Sequence, residues 1–179
     1  MIATLTLRPP RLDEGAAMWS LARDSQRLDL NTPYAYMLWA RDFHATTLVA
    51  DVDDEIVGFV TGFWRPEEAG TLMVWQIAVA EEHRGHGIAG RMLDALVEQT
   101  GATTLETTIT RANEASVRLF AAFAERFGAQ HTVRDLFDEE HFPEDDQWQA
   151  ELLHRITPLQ HGSAEPTART TDIEEDAIR

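Results

Sequence analysis

The segment Gln76-Ile-Ala-Val-Ala-Glu-Glu-His-Arg-Gly-His-Gly-Ile-Ala-Gly-Arg-Met-Leu93 has the residue types and spacing that speak most directly of chemistry. An apolar run of strand type ends at Val79, and a polar turn carries Arg84-Gly85-His86-Gly87. Ile88, Met92, Leu93, Leu96 and Val97 then recur on one side of a predicted helix. Glycines between a strand and a helix let main-chain N–H groups face outward at the helix N-terminus, where the dipole also favours negative charge. Such a turn can bind a diphosphate without any lysine. Carboxylates form the second chemical theme. Asp29 lies in a loop that ends at Pro33, and Glu106 and Glu151 lie in β-type runs. A carboxylate in a strand is costly unless it is paired or exposed.

Two nucleotide-binding readings compete for the glycine turn. Gly85-x-Gly87-x-x-Gly90 meets the bare dinucleotide spacing, and Glu106 lies near the ribose-binding offset of about 20 residues. The strand before the turn begins only at Thr71, behind a predicted hairpin, whereas dinucleotide folds open with that strand. A phosphate loop of the Gly-Lys-Ser/Thr kind is excluded, because the chain has no Lys. An ordinary glycine-rich turn has the same outline. No clustered His and Asp spacing argues for a metal. His83 and His86 read as solvent-facing neighbours of a phosphate, and Met92, Phe123 and Phe127 as core.

Composition narrows the class. A chain of 179 residues with 44% hydrophobic content supports one globular domain, expected over residues 1–159. From about Gln160 the residues turn polar, and 160–179 is expected to be a disordered tail. No apolar run approaches the roughly 20 residues of a membrane span, and the N-terminus lacks the pattern of a signal peptide. With no Cys there is no disulfide framework and no thiolate nucleophile, and a cytoplasmic location is the default expectation. The net charge is −16, and all 15 basic residues are Arg. That field repels nucleic acid and anionic membranes. A salt-rich cytoplasm and a GC-rich genome explain the composition equally well. The cluster of His83, Arg84, His86 and Arg91 offers local relief for a polyanionic ligand.

The elements follow from periodicity and punctuation. A strand is expected at Leu5–Leu7, broken by Pro9-Pro10, then helices at Glu14–Arg23 and Tyr34–Phe43. Strands at Thr46–Asp51 and Ile56–Trp64 make a hairpin around Asp53-Asp54. Thr71–Val79 is the central strand, followed by the glycine turn and a helix to about Thr100. Thr103–Thr108 is a strand, and Asn113 caps a helix to Phe127. Gln130–Leu136 and Glu151–Ile156 are the last strands, joined by the acidic stretch Asp138–Asp146.

The turn Arg84-x-x-Gly87-x-Ala89 is similar to the acetyl-CoA loop of the GNAT acetyltransferases, Gln/Arg-x-x-Gly-x-Gly/Ala. Three further segments narrow the resemblance: Leu28-Asp-Leu-Asn-Thr-Pro-Tyr-Ala-Tyr36, Val74-Trp-Gln-Ile-Ala-Val79 and Leu105-Glu-Thr-Thr-Ile-Thr-Arg-Ala-Asn-Glu-Ala-Ser116. Together they resemble the L-2,4-diaminobutyrate acetyltransferases of ectoine biosynthesis. That resemblance implies an α/β (α+β) GNAT fold, a mixed, mostly antiparallel sheet that splays beside the loop-bearing strand. It implies transfer of an acetyl group from acetyl-CoA to the 4-amino group, giving N4-acetyl-2,4-diaminobutyrate. It further implies a homodimer acting in osmotic stress on a small diamine; the charge and the spacing, not the resemblance, give the expectation of no nucleic acid, membrane or metal as partner. A peptide N-terminus or another small amine is the alternative acceptor, and a coenzyme-binding sensor without turnover is the alternative class.

The chemistry sets its own demands. An amine resembling Lys has a pKa near 10.4, so the site must hold a cation, remove its proton and present the free amine to a thioester. An oxyanion donor is worth on the order of 3 kcal/mol. By resemblance that donor is the Val79 N–H, and Ile77, Val79, Arg84, Gly85, Gly87, Ala89 and Asn113 hold the coenzyme. Asn113 is equally a helix cap. Asp29 holds a substrate ammonium or makes an Asx turn. Tyr34 and Tyr36 cannot share a helix face; Tyr34 is expected in the pocket and Tyr36 in the core. Trp75 walls the substrate or packs in the core. Glu106 is expected as the general base or as a solvent-facing edge residue, and Glu151 as the site of the second amine. Trp148 stands where the resemblance leads one to expect a His. Phe120 occupies the position of a thiolate-protonating Tyr in many superfamily members and cannot donate a proton.

Overall fold

The computed structural model describes residues 4–144 and 148–160. The proposed tail, from residue 161 onward, and Asp145 and Asp146 of the acidic stretch lie outside the described residues. Strand β1 (Leu5–Arg8) runs up to Pro9-Pro10, and a short 3-10 turn leads into α1 (Gly15–Ser25). Pro33 opens α2 (Pro33–Asp42), where its missing N–H is no loss. Strands β2 (Thr47–Val52) and β3 (Glu55–Trp64) form a hairpin. Asp53 and Asp54, at φ 51° and 70°, give it the left-handed two-residue turn that matches strand twist. Then follow β4 (Thr71–Val79), α3 (Ile88–Thr100), β5 (Thr104–Thr110), α4 (Glu114–Arg126), β6 (Gln130–Phe137) and β7 (Glu151–Thr157).

The strands form one sheet in the order β1-β2-β3-β4-β5-β7-β6. Every pairing is antiparallel except β4 with β5. Helices α3 and α4 cover one face over the larger apolar core, which includes Val74, Met92, Leu96, Leu105 and Phe123. Helices α1 and α2 cover part of the other, over Met18, Tyr36, Trp39, Phe59 and Ala78. The expected core residues Met92 and Phe123 are fully buried, and Phe127 packs against the same core.

Two irregularities create the working surface. The parallel pairing of β4 with β5 spans only Thr71–Val74 against Thr104–Thr107, and beyond it the strands part. At the same point the β3–β4 register slips: Thr61 faces Gln76 but Gly62 faces Val74, so Trp75 has no partner. A bulge of this kind re-aims side chains. Trp75 lies 5.0 Å from Trp39 of α2, ring centroid to centroid, while its neighbour Gln76 meets Tyr36 of the same helix. Two consecutive residues of one strand thus address α2.

Glu106 corrects an expectation. It is fully buried, because β5 lies inside the sheet, flanked by β4 and β7, rather than at an edge. Its carboxylate pairs with Arg155, its cross-strand partner on β7, and stands 3.8 Å from Arg65. Arg155 also reaches Glu68 at 2.7 Å. Pairing offsets part of the cost of the buried charge, while Glu106 Oε2 is left without a hydrogen bond among the described residues.

On the sheet side facing α3 and α4, His131 Nε2 and His154 Nδ1 lie 2.9 Å apart. Burial holds both rings below their ordinary value of 6.5, and for His154 the neighbouring His131 adds to the effect. His154 Nε2 is buried and has no hydrogen-bond partner among the described residues. A proton that the unfolded chain accepts below pH 6.5 is therefore refused by the folded one, so stability falls as pH drops below that value. The slope reaches at most about 1.4 kcal/mol per pH unit for each excluded proton. Thermal melts from pH 8 to 5 should show a steeper loss for the parent chain than for a His131→Gln/His154→Asn variant. Parallel curves would show that the pair does not govern acid stability.

Candidate active site

The glycine turn follows β4 directly. Gly85 and Gly87 have φ of 81° and 73°, and a Cβ built on either meets nothing within 4 Å. The backbone there is left-handed and faces open space. Gly87 is the N-cap of α3, and no side chain caps that helix. The first-turn N–H groups are thus uncommitted donors at the positive end of a 13-residue helix. Arg84 anchors the turn by donating from Nε to the Val79 carbonyl at 3.0 Å. This cradle suits a diphosphate.

Beside it lies a pocket of about 230 Å³ lined by Ile77, Val79, Arg84, Ala89 and Asn113, with Ser116 and Leu119 from α4. Strand parity explains the role of Ile77 and Val79. Ala80 donates its N–H to Val57 of β3, so residues 76, 78 and 80 spend their main-chain groups on β3. Ile77 and Val79 direct theirs to the opposite edge, into the gap left by β5. Asn113 caps α4 by accepting from the Ser116 N–H at 3.1 Å, the structural role expected of it, and also lines the pocket. Phe120 is buried in the larger core, and the α4 residues that reach the pocket are Ala115, Ser116 and Leu119.

A second groove, about 560 Å³, opens where β4 and β5 part. Trp75 of β4, Thr108 of β5, Glu151 of β7, Trp148 and the loop residue Asp29 line it. Trp75 is 37% exposed and Glu151 half-buried. The Glu151 carboxyl is pushed above its ordinary range, first by burial and further by the charge of Asp29, while a hydrogen bond with Thr108 acts against the rise. Two carboxylates thus face one groove. Arg27, Leu28 and Asn113 line both pockets, so the diphosphate side and the carboxylate side are continuous.

Gln76 organises this junction and was not singled out from sequence. It is 5% exposed. Tyr36 donates its hydroxyl to Gln76 Oε1 at 2.9 Å, and Gln76 Nε2 donates to the Asp29 carbonyl at 2.9 Å. Trp19 Nε1 holds the same loop through the Asn31 carbonyl at 3.2 Å. A glutamine inside an apolar strand needs two partners, and that need was the available signal. Arg27 and Thr108 were missed as well, since neither lies in a motif.

Most of the expected residues gather here. Ile77, Val79, Arg84, Ala89 and Asn113 line the first pocket, Gly85 and Gly87 form the adjoining turn, and Asp29, Trp75 and Glu151 line the second. Two do not join them. Tyr34 is 65% exposed and lines neither pocket, because it sits in the outer first turn of α2 while Tyr36, two residues on, faces the core. Glu106 lies behind the point where the strands part, opposite Met73, with its charge engaged by Arg155, so this geometry does not carry its role as base.

Comparison with known proteins places the chain. The Acetyltransferase (GNAT) family profile matches residues 15–124. The L-2,4-diaminobutyric acid acetyltransferase of Streptomyces coelicolor is 48% identical over 165 residues, covering 89% of this chain and 96% of that protein. That of Nocardia farcinica is 47% identical over 161 residues, covering 88% and 82%. The structure of the diaminobutyrate acetyltransferase from Paenibacillus lautus, with its substrate L-2,4-diaminobutyric acid and coenzyme A, superposes with a TM-score of 0.84. It is 38% identical and covers 89% of this chain and 98% of that one. With its splayed seven-stranded sheet and its two pockets joined at Asn113, the chain belongs to the L-2,4-diaminobutyric acid acetyltransferase family of the GNAT acetyltransferases.

Proposed function

We infer that the chain transfers the acetyl group of acetyl-CoA to the 4-amino group of L-2,4-diaminobutyrate, giving N4-acetyl-2,4-diaminobutyrate. The observation that carries this reading is the junction itself: a diphosphate cradle opening into a groove that presents Asp29 and Glu151 together. Two carboxylates match the two ammonium groups of a diamine. In this reading the α3 N-terminus and Arg84 hold the diphosphate, and Ile77 and Val79 line up the pantetheine arm with Asn113. The Val79 N–H, directed into the gap, receives the developing oxyanion, a contribution of about 3–4 kcal/mol. Asp29 and Glu151 hold the diamine, and Trp75 walls its short aliphatic chain. Burial raises the Glu151 carboxyl, which suits it to accept a proton. Phe120 supplies no proton to the leaving thiolate, so water serves that step.

The proposal includes a homodimer. Tyr34 and Met37, 65% and 48% exposed, lie one turn apart on the outer face of α2, and Trp64 and Trp148 are also exposed. In this proposal the exposed Tyr34–Met37 pair on α2 is the apolar contact that a second copy covers. A part in ectoine biosynthesis under osmotic stress, which rests on the family resemblance, and a cytoplasmic location, which rests on the composition, complete the proposal.

The direct test is CoA release with four acceptors: 2,4-diaminobutyrate, ornithine, lysine and a peptide. Diaminobutyrate should give the highest kcat/KM, with the acetyl group on N4 by NMR. A peptide as the better acceptor would reject the reading. Glu151→Gln should lower kcat/KM for the diamine roughly 100-fold or more. Because the raised carboxyl must be ionised to act, activity of the parent enzyme should fall as pH drops through a value above 4.5, and the variant should lack that limb. An identical acid limb in the variant would remove Glu151 from proton transfer. Gly87→Ala should raise the KM for acetyl-CoA about 10-fold while leaving the diamine KM alone. The left-handed φ of 73° adds a strain of about 1 kcal/mol, which would appear as a lowered Tm. An unchanged acetyl-CoA KM would take the turn out of the donor site.

A further inference from the structure

We propose that Arg27 recognises the α-carboxylate of the acceptor and so selects amino-acid diamines over simple ones. The inference rests on the acceptor reading above and deepens it. Among the described residues that line the groove, Arg27 is the single cation, set against the carboxylates of Asp29 and Glu151. Two anionic points and one cationic point mirror a zwitterion with two ammonium groups and one carboxylate. A groove with carboxylates alone would suit any short diamine.

A guanidinium next to two carboxylates ordinarily collapses onto one of them. Arg27 does not: it makes no side-chain hydrogen bond or ion pair among the described residues, although ten other arginines do. The charges felt by Glu151 tell the same story, since Asp29 raises its carboxyl and no arginine relieves it. The local backbone accounts for the separation. Helix α1 ends at Gln26, which adopts the left-handed conformation at φ 50°, and the Arg27 N–H donates to Ser25 Oγ at 3.3 Å. The chain therefore turns sharply before Arg27, and two residues later Gln76 pins Asp29 by its carbonyl. The guanidinium and the Asp29 carboxylate hang from separately anchored points of one loop. An arginine fork binds a carboxylate through two parallel N–H donors, so it reads the group's shape as well as its charge.

The experiment compares 2,4-diaminobutyrate with 1,3-diaminopropane, the same diamine without the carboxylate, in the parent enzyme and in Arg27→Ala and Arg27→Lys. Both acceptors are assayed by CoA release at saturating acetyl-CoA. The quantity read is the ratio of kcat/KM for the two acceptors. Arg27→Ala should lower that ratio about 10- to 100-fold, chiefly through the KM for diaminobutyrate, as expected for loss of a charged hydrogen bond. Arg27→Lys should restore part of it. An unchanged ratio, or a rise in the acetyl-CoA KM that lowers both acceptors equally, overturns the proposal and assigns Arg27 elsewhere. No release from diaminobutyrate by the parent enzyme overturns the acceptor reading itself, and this proposal with it.

Discussion

The parting of β4 from β5 is the constraint on which everything else in this molecule depends. A parallel pair normally continues its ladder, and an unpaired edge in the middle of a sheet costs hydrogen bonds. Here four residue pairs hold, from Thr71–Thr104 to Val74–Thr107, and then the strands separate. At the same point the β3–β4 register slips at Trp75, so the pairing is interrupted on both sides of β4. Ile77 and Val79 keep main-chain groups that no strand consumes, and a substrate can pair with them as a surrogate strand. The same gap lets the carboxylate-lined groove run into the diphosphate cradle at Asn113. One local failure of pairing therefore supplies both pockets and, in the proposed reading, donor site, acceptor site and their junction.

Charge creates a second constraint. A chain of net charge −16 must bind a polyanionic coenzyme with few cations to spare. In the proposed reading the solution is dipolar: uncapped N–H groups at the start of α3, with Arg84 tied to the Val79 carbonyl beside them. Fixed dipoles at a helix N-terminus act over the first turn only, so they favour a diphosphate seated there without reversing the overall field. The acidic field acts in the opposite sense on a diamine, which it draws toward the groove.

The sequence made the donor half legible because its signal is local. A strand, a polar turn with two glycines and an amphipathic helix lie within the eighteen residues from Gln76 to Leu93, and the glycines are needed where φ is 81° and 73°. Every expected strand and helix is present, with ends displaced by one to a few residues, as at β6, which runs to Phe137. The acceptor half was legible only in part, because its residues meet through the fold. Asp29, Trp75 and Glu151 come from a loop and two strands, and resemblance rather than spacing pointed to them. Glu106 shows the limit. Its charge and its place in a motif are visible in the chain, but its Arg155 partner is 49 residues away and becomes its neighbour only through the β5–β7 register. Tyr34 and Tyr36 were correctly separated by helix geometry, yet which of them reached the groove depended on where α2 packs, and in this chain neither lines it.

Gln76 ties these threads together. Its position on the bulge is what lets its amide enter the space between β4 and α2. Its acceptor oxygen takes the Tyr36 hydroxyl, and its donor nitrogen takes the Asp29 carbonyl. An apolar residue of the same size would take the acceptor Gln76 Oε1 from the buried Tyr36 hydroxyl, at about 1–3 kcal/mol, and leave the Asp29 carbonyl only the longer donation from Asn31 Nδ2 at 3.3 Å. The amide is therefore matched at both ends, and it makes the placement of the Asp29 loop depend on the packing of α2. The core beneath α1 and α2 thereby positions the Asp29 loop, and it reaches the groove through Leu28 and through Trp75, which packs on Trp39. Catalysis by positioning asks for such rigidity, since a displacement of about 1 Å between amine and thioester can cost a hundredfold in rate.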